Sequence, residues 1–269
     1  MKRIAILDIG KTNAKVVVLD AASGEEIVAN RISNTVLCDG PYPHYDIEAL
    51  WRFFLKSLAA FAKEPGFDTI SITTHGAAAA LVAADGTLAM PVLDYELDYP
   101  AEILAAYAAI KPDFKDTFSP PLSLGLNLGA QLHYLKTTFP ADFARAHFIF
   151  TYPQYWAWRL TGIAASEVTS LGCHTDLWLP KESAFSTCRP AGHPCKTPAT
   201  SLCLRCVGRS FARDCNRGRP LQSCAGSLRH SRFQCIAARA SNGSGGPVLG
   251  RLDRDVGGQF RRWRQFRRA

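Results

Sequence analysis

The chain has 269 residues, 47% of them hydrophobic, and this length gives ample room for a folded core. No run approaches the roughly 18 consecutive apolar residues of a membrane span. The apolar run after Arg3 is interrupted at Asp8, well short of the about 7 to 15 apolar residues of a secretory signal. We therefore expect a soluble protein that acts in the cytoplasm and not at a membrane.

Charge and cysteine are distributed unevenly along the chain. The formal net charge is +8, but residues 184–269 hold 16 Arg and 1 Lys against 3 Asp and no Glu, a net charge of +14, so residues 1–183 carry −6. Only Cys38 and Cys173 precede position 184, and the other seven cysteines follow it. The first segment has the composition of an ordinary reduced globular protein, whereas the second is strongly basic. The sequence thus joins two segments of different kinds.

The first segment opens with a strand, a tight turn and a second strand. Residues 3–7 (RIAIL) and 14–19 (AKVVVL) are apolar, β-branched runs on either side of the turn DIGKTN, and residues 26–32 are a third strand candidate. A helix is predicted over residues 46–63, because apolar residues recur there every three or four positions and a Pro-Gly pair follows. The chain therefore opens as an antiparallel meander followed by a helix.

Strands and helices continue as far as about residue 183. Further strands are predicted at 69–73, 79–83 and 148–150, and further helices at 100–110, 129–138 and 154–160. This order predicts an α/β domain with a mixed sheet. From residue 184 onward no helical or alternating pattern is longer than a few residues, so we expect a largely disordered segment there.

The turn after the first strand carries the strongest chemical signal. Asp8 ends a buried strand, where it can bind a metal ion, and Gly10 permits a tight backbone whose N–H groups approach phosphate oxygens. Side chains that can donate to those oxygens follow at Lys11, Thr12, Asn13 and Lys15. An ordinary polar hairpin turn has the same composition, so the turn alone does not decide between the two interpretations.

Several motifs together resemble one enzyme family. The stretch LDIGKTNAKVVVLD is similar to the first phosphate-binding motif of the FGGY carbohydrate kinases. In the family's order follow TTHGAAAALVAADG, PVLDYELD, LNLGAQLHYLK, PQYWAWRLTG and TSLGCHTDLW. The resemblance spans about residues 3–180 and is strongest to rhamnulokinase-like and fuculokinase-like members. It implies an amino-terminal domain of the ribonuclease-H-like, actin-like type, with ATP and Mg²⁺ as cofactors and a small sugar as substrate.

The resemblance also implies roles for individual residues. Asp8 would hold Mg²⁺, and the other turn residues, Gly10, Lys11, Thr12, Asn13 and Lys15, would contact the phosphates of ATP. The residues in the family's sugar-contacting positions are His75, Gly76, Tyr95, Glu96, Asn127 and Gln131. The family's Asp-x-Arg beyond Tyr95 is not matched, so the sugar stays undetermined. His174 and Asp176 lie in a turn that either reaches the substrate cleft or caps a helix, and both alternatives stay open.

No catalytic residue is predicted, because the family's catalytic Asp belongs to a second domain. The acidic residues beyond position 200 are Asp214, Asp253 and Asp255, and none lies in the glycine-rich, strand-to-helix setting that the resemblance requires. A kinase without a base loses the orientation of its attacking hydroxyl. We therefore expect this chain to be truncated and inactive, although the intact family member would be a carbohydrate kinase, compatible with a homodimer.

Three interpretations compete for residues 184–269. Five Arg between positions 261 and 268, with Trp263 and Phe266, suit nucleic acid, and Cys203 and Cys206 form a CxxC typical of zinc sites. A GC-rich coding region read out of frame would also give Arg, Pro, Ser and Cys with almost no Lys or Glu. We favour the frameshift, with its join between residues 178 and 189, and do not expect nucleic acid as a partner. A nucleic-acid-binding protein is the alternative function, and another sugar or acetate kinase of the superfamily is the alternative enzyme.

Overall fold

The computed structural model describes residues 2–186 and the backbone of three later strands. Thirteen strands are described: β1 (Arg3–Ile9), β2 (Asn13–Asp20), β3 (Glu26–Ser33), β4 (Val36–Leu37), β5 (His44–Tyr45), β6 (Thr69–Thr74), β7 (Ala79–Ala83), β8 (Ala146–Thr151), β9 (Trp178–Leu179), β10 (Ala184–Phe185), β11 (Cys235–Ala237), β12 (Gly250–Arg254) and β13 (Phe260–Gln265). The helices are α1 (Ile47–Lys63), α2 (Ala101–Ala108), α3 (Phe114–Thr117), α4 (Leu128–Thr138), α5 (Pro140–Ala144), α6 (Tyr152–Thr161) and α7 (Val168–Leu171), with a 3₁₀ turn at Leu124–Leu126. Among these described helices, none combines the length and apolarity that a bilayer crossing needs.

The elements divide into two compact units. The first contains the residues up to Thr35, residues 46–75 and the three strands after position 222. Its five-stranded sheet has the order β11-β6-β1-β2-β3, in which β1, β2 and β3 are antiparallel neighbours and β6 runs parallel to both β1 and β11. The sheet is therefore mixed, as the sequence predicted.

Helix α1 covers one face of this sheet. Its apolar residues recur at helical spacing, so Leu50, Phe54 and Phe61 are all buried. The Asp46 carboxylate caps the helix by accepting from the Ala49 N–H at 2.8 Å. Asn30 of β3 donates to Ser57 Oγ of α1 at 3.2 Å, which adds a polar tie between helix and sheet.

The second unit contains residues 36–45 and 76–186 of the described chain. Strands β7 and β8 form an antiparallel pair, and α6 follows β8 directly. Its core includes Leu81 of β7, Leu128 and Leu135 of α4 and Ile149 of β8. Tyr152 and Trp156 of α6 are also fully buried. A short hairpin, β9–β10, ends the described part of this unit.

Most predicted elements are confirmed within a few residues. Strand β7 matches its predicted bounds, and α1, α4, α6, β6 and β8 differ by at most two residues at either end. The short helices α3, α5 and α7 were not predicted, because four or five residues carry no readable period. Strand β10 shows that regular structure continues past residue 183. The predicted disorder, zinc and nucleic-acid features of the tail lie almost entirely outside the described residues.

Candidate functional site

The predicted phosphate-binding turn joins β1 to β2 in the first unit. The Gly10 N–H donates to Asn13 O at 2.9 Å, which closes a tight hairpin. A Cβ on Gly10 would lie 3.2 Å from Asn13 O, closer than most Cβ contacts, so a larger residue would require a small shift of the turn. The side chains of Thr12 and Asn13 are exposed. The turn thus presents its polar groups to solvent, where they can reach a ligand.

Asp8 lies in a row of polar side chains across the sheet. Its neighbours in register are Lys15 on β2 and Thr73 on β6, and Lys15 is followed by Arg31 on β3. Residues opposite one another on neighbouring strands share a face, so all four project from the same side. Lys15 and Thr73 therefore flank the exposed carboxylate of Asp8, and Arg31 lies one strand further away.

The two charged groups beside the turn differ in their availability. Lys15 forms an ion pair with Glu26 of β3, but both side chains are partly exposed, and such a pair contributes only about 0 to 1 kcal/mol. Lys15 can therefore exchange this partner for a phosphate at little cost. The Asp8 carboxylate makes no hydrogen bond or ion pair with any described residue. This suits Mg²⁺, which proteins bind through one or two carboxylates while phosphate and water fill its other positions.

Asn34, which the sequence analysis missed, holds the turn in place. Its backbone N–H donates to Thr12 O at 2.9 Å and its side-chain amide donates to Gly10 O at 2.8 Å. The residue is 6% exposed, so it supports the turn from beneath. Asn34 lies more than 20 positions from the groups that it binds, so no local motif connects them. The only sequence signal was a polar residue directly after a strand.

His75 lies beside the same turn. Its backbone N–H donates to Ile9 O at 2.9 Å, which extends the parallel β1–β6 pairing by one bond beyond Thr74. Parallel strands end at the same edge of a sheet, and ligands of α/β proteins bind at the carboxyl ends of such strands. The first unit therefore brings His75 and the Asp8–Asn13 turn together at one edge.

In the second unit, Gly76 lies against His174. A Cβ on Gly76 would be 3.4 Å from His174 Nε2. The other ring nitrogen, Nδ1, lies 2.7 Å from Leu126 O. Gly76 is exposed and the imidazole is partly exposed. One edge of this ring is therefore fixed by the backbone and the other faces the glycine.

Asp176 is the centre of a buried polar network in the second unit. Its carboxylate accepts from Asn127 Nδ2 at 2.9 Å, Tyr107 Oη at 2.8 Å and Thr117 Oγ1 at 3.3 Å. Asp176 is 3% exposed. A buried charge requires such donors, so this carboxylate serves the fold of the unit.

Asn127 and Gln131, predicted in the sugar wall, are both buried and engaged with the protein. Asn127 caps α4, accepting from the Ala130 N–H at 3.1 Å. Gln131 is fully buried, accepting from the Ala79 N–H at 2.9 Å and donating to Ala77 O at 3.4 Å. Their amides fix the start of α4 and the segment leading into β7, and their contact with a sugar stays a prediction.

The loop after β7 holds the remaining predicted residues, Tyr95 and Glu96. Tyr95 is half-buried and Glu96 exposed. The buried residue is their neighbour Asp94, which the sequence analysis did not consider. Asp94 accepts from Tyr45 Oη at 3.0 Å, and burial together with this nearby negative charge raises the pKa of Tyr45. The loop thus anchors through Asp94 and leaves Glu96 in solvent.

The predicted residues therefore fall into two groups. The first unit holds the turn residues and His75, and the second holds Gly76, Tyr95, Glu96, Asn127 and Gln131. Over the residues that the structure describes, no group of three or more His, Cys, Asp or Glu side chains is arranged to hold a metal ion.

Comparisons with known proteins find relatives of part of the chain, although no family model matches it. The chain is 26% identical over 177 residues to an L-fuculokinase from Salmonella typhi, covering 63% of this chain and 37% of the relative. It is 38% identical to a carbohydrate kinase of known structure from Novosphingobium aromaticivorans, with a TM-score of 0.63, covering 68% of this chain and 39% of that one.

A glycerol kinase from Plasmodium falciparum, solved with ADP, shares only the fold, with 15% identity and a TM-score of 0.60 over 78% of this chain and 42% of that one. The chain spans about two fifths of the length of these relatives. The sequence resemblance and the fold point to the same group of proteins. These likenesses support an amino-terminal FGGY carbohydrate kinase region in the part of the chain that matches, with the actin-like fold of the sugar kinases.

Proposed function

We propose that the protein is an ATP-dependent kinase of a sugar hydroxyl, on a ketose or polyol, and that it acts in the cytoplasm. The observation that carries the proposal is the shared sheet edge of the first unit, where the Asp8–Asn13 turn and His75 lie at the carboxyl ends of β1 and β6. Transfer of a phosphoryl group to a sugar requires groups that donate hydrogen bonds to phosphate next to a side chain that binds the sugar hydroxyl.

Each group at this edge has a defined task. The turn N–H groups and the side chains of Lys11, Thr12 and Asn13 donate to phosphate oxygens, and Asn34 keeps the turn in the conformation that presents them. Asp8 holds Mg²⁺, which when bound neutralises charge on the phosphates. His75 orients a sugar hydroxyl through its imidazole.

We further propose that this chain alone does not complete the transfer. The resemblance assigns the base that removes the hydroxyl proton to a second domain, and we find no matching segment in residues 184–269. A chain that contains only the edge described above binds ligands without orienting the attacking oxygen. Binding and turnover should therefore separate in this protein.

The test measures both properties on the purified 269-residue chain. ADP binding is measured by isothermal titration with and without Mg²⁺. We expect wild type to bind ADP in the presence of Mg²⁺, and we expect Asp8→Asn and removal of Mg²⁺ to weaken this binding to a similar extent. Asp39→Asn, which changes an exposed carboxylate of the second unit, is the matched control. Absence of any Mg²⁺-dependent ADP binding would refute the kinase proposal. ATP-dependent phosphorylation of L-fuculose, D-xylulose or glycerol would instead support it and refute the proposed inactivity.

We also propose that residues 184–269 are the product of a frameshift. Their composition, with 16 Arg and 1 Lys, is the supporting observation. Translating the gene in its other two frames beyond codon 175 should restore a kinase-like pattern. If neither frame does so, the tail is a genuine extension. Filter binding of residues 184–269 to RNA at rising salt then tests the nucleic-acid alternative.

A further inference from the structure

The segment that contains His174 is held in an unusual backbone conformation. His174 has φ 44° and Asp176 has φ 58°, in the left-handed region that residues other than glycine seldom adopt. Two hydrogen bonds from the start of α4 fix this segment, from Leu128 N–H to His174 O at 3.3 Å and from Gly129 N–H to Thr175 O at 2.9 Å. Backbone strain of this kind persists where surrounding structure enforces it and is concentrated at functional sites.

The hydrogen bond at Nδ1 determines what the other side of the ring can do. Leu126 O can only accept, so Nδ1, at 2.7 Å, must carry the proton. In the neutral imidazole Nε2 then has a free lone pair and acts as an acceptor. Nε2 makes no hydrogen bond with the residues that the structure describes, and the ring is partly exposed. The ring therefore offers an oriented acceptor with no protein donor.

Gly76 keeps this acceptor accessible. A Cβ at position 76 would lie 3.4 Å from Nε2 and 3.6 Å from Cε1, directly against the ring edge. Gly76 itself is exposed. A side chain there would touch the ring at Nε2 and Cε1, whereas glycine leaves that space to a ligand atom.

We propose that His174 Nε2 accepts a hydrogen bond from a hydroxyl group of the sugar, and that Gly76 is needed to admit that hydroxyl. The inference rests on the proposed sugar kinase function and adds a substrate-binding residue to it. For the neutral ring the ligand group must be a donor, because an acceptor-only phosphate oxygen would face the lone pair of Nε2. A hydroxyl-rich small molecule satisfies this requirement, and the phosphates of a nucleotide do not.

The experiment compares sugar binding by the full chain and three variants. L-Fuculose, D-xylulose and glycerol are titrated against wild type, His174→Ala, Gly76→Ala and His147→Ala, with binding followed by saturation-transfer NMR. His147, an exposed histidine on β8 of the same unit, is the matched control. Loss of one hydroxyl hydrogen bond should weaken binding about tenfold in His174→Ala. Gly76→Ala should have a similar effect, and His147→Ala should have none.

Two results would overturn the inference, and they differ in what they leave standing. If wild type binds a probe and both His174→Ala and Gly76→Ala bind it equally well, the inference fails while the sugar kinase proposal survives. If wild type binds none of the probes, the proposed function fails and the inference fails with it. Gly76→Ala places its methyl group at ordinary contact distance, so it decides the question even if His174→Ala does not fold.

A second measurement tests the premise directly. In ¹⁵N-labelled protein, neutral His174 should carry its proton on Nδ1, and the resonance of Nε2 should shift when the bound probe is added. A neutral ring with its proton on Nε2 would contradict the proposal.

Discussion

Replacing Gly129 by Ala should destabilise the second unit strongly. A Cβ at this position would lie 2.1 Å from Tyr107 Oη and 2.8 Å from Thr175 O. The added methyl gains at most about 1 kcal/mol of helix propensity, while overpacking costs about 1 to 3 kcal/mol. Tyr107 cannot withdraw without weakening its 2.8 Å hydrogen bond to Asp176, a bond to a charged group worth about 1.5 to 3 kcal/mol. The net loss should be about 2 to 4 kcal/mol.

Urea unfolding and native-state hydrogen exchange of the α4 amides measure this loss. Tyr107→Phe serves as the matched control, because it removes the closest clashing atom and leaves the ring. The double variant Gly129→Ala/Tyr107→Phe should recover at least about 1 kcal/mol relative to the sum of the single changes. Additive effects, or a Gly129→Ala protein within about 0.5 kcal/mol of wild type, would refute the assignment of this glycine to a close approach of helix and chain.

Three further changes test other parts of the structure. Asn34→Ala should weaken ADP binding and lower stability by about 1 kcal/mol, since the turn loses the bond to Gly10 O; unchanged ADP affinity would contradict its role. Asp176→Ala should cost about 3 to 5 kcal/mol by leaving three donors without an acceptor, and Asp176→Asn less than about 2 kcal/mol; equal losses in urea unfolding would contradict the network. Burial raises the pKa of Tyr45, so its contribution to stability is full below about pH 10 and falls at higher pH. The unfolding free energy is therefore measured between about pH 8 and pH 11 in wild type and in Tyr45→Phe. An equally steep decrease in both proteins would contradict this prediction.

The sequence predicted elements whose signal is local. Helix α1 has 17 residues with a clear apolar stripe, and strand β7 is a short apolar run bounded by turn residues, so both were located closely. Helices α3 and α7 have only four residues each, which is too short for a readable apolar period. Helix α7 is capped by the Glu167 side chain, which accepts from the N–H groups of Thr169 and Ser170, but Glu is not among the residues whose presence signals a helix start.

The roles of site residues were harder to predict, because a motif gives the position of a residue in the chain and not the direction in which its side chain points. Gln131 and Asn127 lie where the family resemblance suggested a sugar wall, yet their amides satisfy backbone and carboxylate groups inside the protein. Asn34 was missed because its partners Gly10 and Thr12 are distant in sequence and adjacent only across the folded hairpin. Spacing cannot distinguish a side chain that meets a ligand from one that supports the residues which do.

The turn at residues 173–176 shows why the sequence left two roles open. Its carbonyls, at His174 and Thr175, accept from the first N–H groups of α4, and the Asp176 carboxylate ties that helix to Tyr107 and Thr117. The imidazole of His174 takes no part in this support beyond its bond to Leu126 O. The supporting role therefore belongs to the backbone carbonyls and to Asp176, and contact of the His174 imidazole with a ligand stays a proposal. Substitutions should separate them, since changes at Asp176 act on stability and changes at His174 act on ligand affinity.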